Sequence, residues 1–305
     1  MTQAVLKVIR PLVRFGSALA PGAAGRAAFR LFCTPLGHAP VRDDNPAIRQ
    51  ARALFAEGRT AHIPYEHGFV RVTRFEPARP ALGAVLVLHG WTGQGLHMAG
   101  FVRPLLAEGF RVAVMDLPAH GGSSGRRLTF PRAIAAIHAA MRDEIGPGGA
   151  PLAGMIGHSF GGAIALVAAA AGVAGLPPVP VRRLVTIAAP MGMAHYGRHF
   201  AETIGLTRRG HAAFEAAVQA LTGRPMASFS GVDALRLTQI PTLVMHAPDD
   251  KEIPFAEAEA LAAAGPRVVL RAMPGLGHRR ILGAEAVHSA AAAFLARGAV
   301  GLAAG

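Results

Sequence analysis

Ser159 sits in Gly157-His158-Ser159-Phe160-Gly161, a Gly-x-Ser-x-Gly spacing that suits a serine nucleophile. A serine carried on a sharp strand-to-helix turn has a strained backbone, so the positions two before and two after it must be tiny. The apolar residues 152–156 read as the strand leading in, and the small residues 161–174 as the helix leading out. That turn lifts the hydroxyl toward the N-terminus of the helix, whose free N–H groups favour developing negative charge. The pentapeptide alone is equally an ordinary Gly-rich turn, so its partners elsewhere in the chain carry the argument.

Two such partners follow in order. Asp249 and Asp250 come directly after the apolar run 242–246, and Gly275-Leu276-Gly277-His278 comes after the run 268–272. A carboxylate at either aspartate would orient an imidazole and stabilise its cation. Serine, then acid, then histidine, each just past a strand, is a chain order of serine hydrolases on parallel sheets. Upstream, His89-Gly90-Trp91-Thr92-Gly93 ends another apolar run. The backbone N–H groups of Trp91 and of Phe160, the residue after the serine, would form a two-donor oxyanion hole. His89, Gly90 and His158 border these donors and read as substrate-side residues, with His158 also a packed elbow residue.

The elements that must position these groups alternate. Residues 61–65 and 69–75 form a hairpin signal around Glu66-His67-Gly68. Strand-like runs at 84–88, 110–115, 152–156, 184–188, 242–246 and 268–272 alternate with helical stretches at 98–108, 131–145, 255–264 and 284–296. This predicts an α/β fold: a doubly wound, mostly parallel sheet behind an antiparallel start. Ligands on such sheets bind outside the C-terminal strand ends, where all the candidate groups fall. Residues 191–238 are too long for one crossover and read as an inserted helical lid. Residues 1–58 read as a helical arm, 59–298 as the main domain and 299–305 as a tail. Within the arm, Lys7, Arg10 and Arg14 alternate with Val, Leu and Ile at helical spacing, and Pro11 is expected to shorten that helix. The arm either packs on the domain or lies on an anionic membrane surface.

Composition excludes several classes. The 305 residues are 51% hydrophobic, which supports a large core and not disorder. The net charge of +13 is scattered, with no tract of five basic residues and only 6% aromatics, so it does not outline a nucleic-acid footprint. The single cysteine, Cys33, rules out an internal disulfide and reads as a packing residue of a cytoplasmic protein. Arg10 and Arg14 interrupt any secretory apolar core. His195 and His199 have a metal-compatible spacing but no third ligand, so no metal or cofactor is expected.

With these motifs in view, residues 60–298 resemble the α/β-hydrolase superfamily, and within it the monoacylglycerol lipase and serine aminopeptidase-like branch. His89-Gly90-Trp91 is similar to that branch's oxyanion motif. Residues 116–125 are similar to its Asp-x-x-Gly-His-Gly-x-Ser loop, with Ala119 in place of the first glycine. The resemblance implies that Asp116 shapes the site floor and is not the triad acid. Asp250-x-x-Ile253-Pro254 matches the acid motif, which selects Asp250 over Asp249, and His278 matches the histidine. The implied activity is cofactor-free hydrolysis of a small acyl substrate. Alternatives on the same triad are a thioesterase or a haloperoxidase, and a non-enzymatic receptor keeping the fold is a third reading.

Overall fold

The structure, a computed structural model, describes residues 3–35, 45–142, 151–170, 173 and 175–297. The expected tail at 299–305 lies outside these residues, as do positions 143–145 of an expected helix.

Among the described residues three helices precede the sheet: α1 (Gln3–Leu19), α2 (Pro21–Phe32) and α3 (Pro46–Glu57). Proline opens α2 and α3, where its missing N–H is no loss, and the Asn45 side chain caps α3 by accepting from the Ala47 N–H at 2.9 Å. Pro11 does not shorten α1, contrary to the sequence expectation. It removes one hydrogen bond on an exposed face, while the opposite face, through Ile9, Val13 and Ser17, is held by other helices.

The strands are β1 (Arg59–Tyr65), β2 (Gly68–Phe75), β3 (Ala84–Leu88), β4 (Arg111–Met115), β5 (Gly154–His158), β6 (Leu184–Ile187), β7 (Thr242–His246) and β8 (Val268–Ala272). They form one sheet in the order β1-β2-β4-β3-β5-β6-β7-β8. β1 and β2 pair antiparallel to their neighbours, and β3 through β8 are parallel. Strand β5 starts and ends two residues later than the apolar run suggested, because Leu152 pairs instead with Val181 in a separate bridge. The order of connection reverses at β3, which lies between β4 and β5. That crevice is where such sheets bind ligands.

Helices cover both faces. A 3-10 turn (Gly95–Phe101) leads into α4 (Val102–Ala107), and α5 (Phe130–Ala140) and α6 (Phe160–Ala170) follow β4 and β5. The sequence of α6 is apolar all round, and the helix is accordingly buried from Gly161 to Ala169. Between β6 and β7 run α7 (Ala194–Ile204), α8 (Arg208–Thr222) and α9 (Gly231–Thr238). The last helices are α10 (Phe255–Ala262), α11 (Gly277–Arg280) and α12 (Glu285–Ala296).

The arm is not separate from the inserted helices. Gly25 lets α2 cross α8 closely, since a Cβ there would stand 2.5 Å from the Phe214 backbone nitrogen. Phe32 packs against Phe200 and Phe214 with ring centroids 5.1 and 5.7 Å apart. Ser17 of α1 accepts from the Thr207 N–H at 3.0 Å through its hydroxyl, and its carbonyl accepts from the Thr207 hydroxyl at 3.1 Å. Arm and insertion thus form one helical cap over the strand ends.

Candidate active site

Strain gathers at the C-terminal edge of the sheet. Thr92, Ala119, Ser159 and Ala188 have φ of 57°, 65°, 50° and 48°, and each lies just past β3, β4, β5 or β6. A left-handed backbone is costly for a residue with a side chain and persists where the surroundings over-determine it. Around Ser159 they do. Its N–H donates to the Ile187 carbonyl at 2.8 Å, and its carbonyl accepts from Gly162 N–H at 2.9 Å as α6 begins. A Cβ on Gly157 would run into the Gly161 carbonyl, and one on Gly161 into the His89 carbonyl. The two glycines of the motif are therefore required by contact, while the left-handed conformation belongs to Ser159 itself.

The structure brings Ser159, His278 and Asp250 into one hydrogen-bonded chain. His278 Nε2 is 3.1 Å from Ser159 Oγ, and His278 Nδ1 is 2.8 Å from Asp250 Oδ2. Oδ1 of Asp250 accepts from the backbone N–H groups of Glu252 and Ile253 at 2.8 and 2.9 Å. Burial alone would raise this carboxyl, but the Ile253 N–H, His278 and Glu252 N–H hydrogen bonds outweigh it and hold Asp250 below its ordinary value. Asp249 stands apart: it accepts from the Gly275 N–H at 2.7 Å and braces the loop that carries His278.

The other histidines named from sequence hold this framework. The side chain of His158 is buried, and its Nε2 donates to the His278 carbonyl at 2.9 Å. Burial, helped by the nearby His278, pushes its pKa down to about 3, so it stays a neutral donor. Fully buried His89 donates from Nδ1 to the Gly90 carbonyl at 2.7 Å and accepts at Nε2 from the Leu117 N–H at 3.0 Å. Burial pushes it down to about 4. Both His89 and His158 border the cleft, and the ring nitrogens named above bond within the protein. Gly90 fits against His158 and Ser159 where a Cβ would crowd both. His120 donates to the Pro118 carbonyl at 3.0 Å and accepts from the Thr92 N–H at 3.2 Å, tying the loops after β3 and β4 together. Asp116 is buried against Arg71 at 2.6 Å and accepts from Gly95 and Gly122 N–H groups, away from His278.

His246 was not singled out from sequence. Its Nε2 donates to the Ile253 carbonyl at 3.0 Å and lies 3.3 Å from Asp250 Oδ2, directly behind the acid. The signal was available: His246 and Asp250 are four apart at the end of an apolar strand. Among the described residues, neither the Trp91 nor the Phe160 backbone N–H donates to a protein carbonyl outside regular secondary structure. The Trp91 and Phe160 rings meet edge to face at 5.5 Å.

Two cavities meet at Ser159. One, of about 450 Å³, is lined by Phe29 and Phe32 of α2, by Phe130 and Phe160, and by Met193 and Phe229 from the insertion. Cys33 also reaches it, its thiol pushed up to about 12 by burial and so unreactive as a nucleophile. Tyr196 reaches it too and donates to Glu257 at 2.8 Å; the same carboxylate accepts from the Met191 N–H at 2.8 Å, pinning the start of the insertion. The second cavity, of about 810 Å³, is lined by α3 and by polar side chains including His97, Arg103, Glu252 and Arg279. The arm's share in both cavities was missed from sequence, since helical spacing says nothing about which surface a helix covers.

Relatives fit this geometry. The pimeloyl-[acyl-carrier protein] methyl ester esterase of Xanthomonas campestris pv. campestris is 30% identical over an alignment of 252 residues, covering 69% of this chain and 96% of that protein. An esterase from Pyrococcus furiosus superposes with a TM-score of 0.60 at 20% identity, covering 85% of this chain and 97% of its own. The esterase domain of a Rhodothermus marinus protein gives 0.54 at 21%, with 79% and 98% covered. A thioesterase domain from the curacin biosynthetic pathway gives 0.52 at 18%, with 80% and 99% covered. These structural likenesses speak to the fold. Residues 85–296 match the alpha/beta hydrolase family, and the chain belongs to it.

Proposed function

We propose that the protein is a serine esterase that hydrolyses esters of apolar acyl groups through Ser159, His278 and Asp250. The hydrogen-bonded chain of these three, at the junction of an apolar and a polar cavity, carries the reading. Ser159 Oγ attacks the acyl carbon while His278 Nε2 takes its proton. The resulting oxyanion is held by the Trp91 and Phe160 N–H groups. His278 then gives its proton to the departing alcohol oxygen, leaving the acyl group on Ser159. Water, deprotonated by His278, attacks that ester, and the carboxylic acid leaves as Ser159 regains its proton. Asp250 holds the Nδ1–H throughout, and water is the only co-reactant. The acyl chain occupies the apolar cavity and the alcohol the polar one. The helices of residues 191–238 act with the arm as a lid. A single cysteine suits a reducing cytoplasm. The resemblance at residues 116–125 and 250–254 favours a branch near the monoacylglycerol lipases, and the methyl ester esterase relative supports a carboxylic ester.

The test is a panel of para-nitrophenyl esters from acetyl to hexadecanoyl, run on the protein and on Ser159→Ala. The protein should react with a fluorophosphonate and release product in a burst. The variant should not label with the fluorophosphonate and should lose roughly a millionfold in turnover, since the triad acts as a unit. Full hydrolysis by the variant would overturn the mechanism, and labelling without turnover by the intact protein would favour a receptor.

A further inference from the structure

Helix α1 has two apolar faces, and only one is packed. Ile9, Val13 and Ser17 turn toward the cap, where Val13 meets the core and Ser17 binds Thr207. On the other side Val8, Leu12, Phe15 and Leu19 are 66–71% exposed. At 100° per residue these four fall within a 60° arc, a continuous apolar stripe along the helix. Together with Leu31 of α2, the arm carries five of the eleven large hydrophobics exposed among the described residues. The stripe is therefore a local feature and not general surface character.

The charge around it has one sign. Lys7 and Arg14 lie to one side of the stripe, Arg10 lies farther round toward the packed face, and Arg26 and Arg30 follow on α2. All five are exposed, and the sequence holds no acidic residue before Asp43. No helix among the described residues is long and apolar enough to cross a membrane. An apolar stripe with long basic side chains beside it is instead suited to lying in the headgroup plane. There the stripe enters the acyl boundary and the cations reach anionic lipid.

We propose that α1 docks the protein on an anionic membrane surface through Val8, Leu12, Phe15 and Leu19, with Lys7 and Arg14 beside the stripe pairing lipid phosphates. A second copy of the chain would cover the apolar stripe but would set these like charges against one another. The arrangement has a consequence for the site. The next helix, α2, supplies Phe29 and Phe32 to the apolar cavity, so the docked element and the acyl wall are consecutive in the chain.

The test is made on the Ser159→Ala protein, so its outcome is independent of the proposed chemistry. The protein should cosediment with phosphatidylcholine–phosphatidylglycerol vesicles, weakly with pure phosphatidylcholine, and less as salt rises from about 0.05 to 0.5 M. Leu12→Glu with Phe15→Glu should lower the partition coefficient at least about tenfold. Because both side chains are exposed, the melting temperature should not fall. A Phe15→Trp variant should show a blue-shifted emission only with the anionic vesicles. Absence of sedimentation by the starting protein would overturn the proposal, as would binding unchanged in the double variant. A dimer that the double variant dissociates would show that a second copy occupies the stripe.

Discussion

The floor and the roof of the site are built by different means. The floor is four consecutive strand ends, each closed by a left-handed residue, and its side chains are locked by short bonds such as His278 Nδ1 to Asp250 at 2.8 Å. The roof is a set of helices brought from two distant parts of the sequence: α2 from the arm and α7 to α9 from the insertion, joined through Phe29, Phe32, Phe200 and Phe214. The floor has backbone geometry that few residues satisfy. The roof has contact area that many apolar residues could supply. The proposed function assigns chemistry to the first and the fit of the acyl chain to the second, so perturbing each should move different observables.

The largest expected contrast lies within the floor. Asp250→Asn would present an amide where His278 needs an acceptor for its Nδ1–H, and kcat should fall by roughly 10⁴. Asp249→Asn keeps a carbonyl oxygen for the Gly275 N–H and loses only a 3.9 Å approach of exposed Arg280, so kcat should stay within about threefold. Steady-state kinetics on the two variants checks this. Equal losses would mean that the acid loop is braced, and not charged, for catalysis.

Acid should reach the floor first through its buried histidines. His158 and His89 are pushed down to about 3 and about 4, so in the folded chain they stay neutral where an unfolded chain would protonate them. Below about pH 6.5 the unfolded state binds more protons, and stability falls with pH until the folded values are reached. Each histidine contributes a loss on the order of 3 kcal/mol across that window. Urea midpoints measured from pH 7 to 4 should fall steadily. In His158→Gln, which keeps a donor toward the His278 carbonyl, the fall should be shallower by about one histidine's share. A parallel fall in the variant would count against His158 as a titrating group.

The same division explains what the sequence disclosed. Ser159, Asp250 and His278 were legible because each follows an apolar strand and because only glycine fits at 157 and 161. The sheet was legible from continuous apolar runs, with β7 and β8 matching the expected spans. Ala119 shows the limit of such reading: it stands where the resembling motif has glycine, and it takes a left-handed φ of 65° with a side chain in place. Pro11 shows another, since tertiary packing on one face carried α1 through it. The arm's contribution to the cavity left no local mark at all. Phe29 and Phe32 look like any amphipathic pair until the crossing of α2 over α8 places them above Ser159.

The smallest expected effect concerns that roof and is read as a ratio. Phe32 lines the apolar cavity and meets Phe200 and Phe214, so Phe32→Ala removes wall area without touching the triad. A two-carbon acyl group is too short to use a wall across a cavity of about 450 Å³, whereas a six-carbon chain extends into it. Losing that contact should lower kcat/KM for the hexanoyl ester by about tenfold relative to the acetyl ester, the scale of a few buried methylene contacts. The truncation also removes packing between arm and insertion, so the melting temperature should drop by several degrees. A smaller folded fraction lowers both rates equally and leaves their ratio alone. The ratio therefore isolates the wall from the fold. If it is unchanged while the melting temperature falls, α2 holds the cap together but does not face the acyl chain.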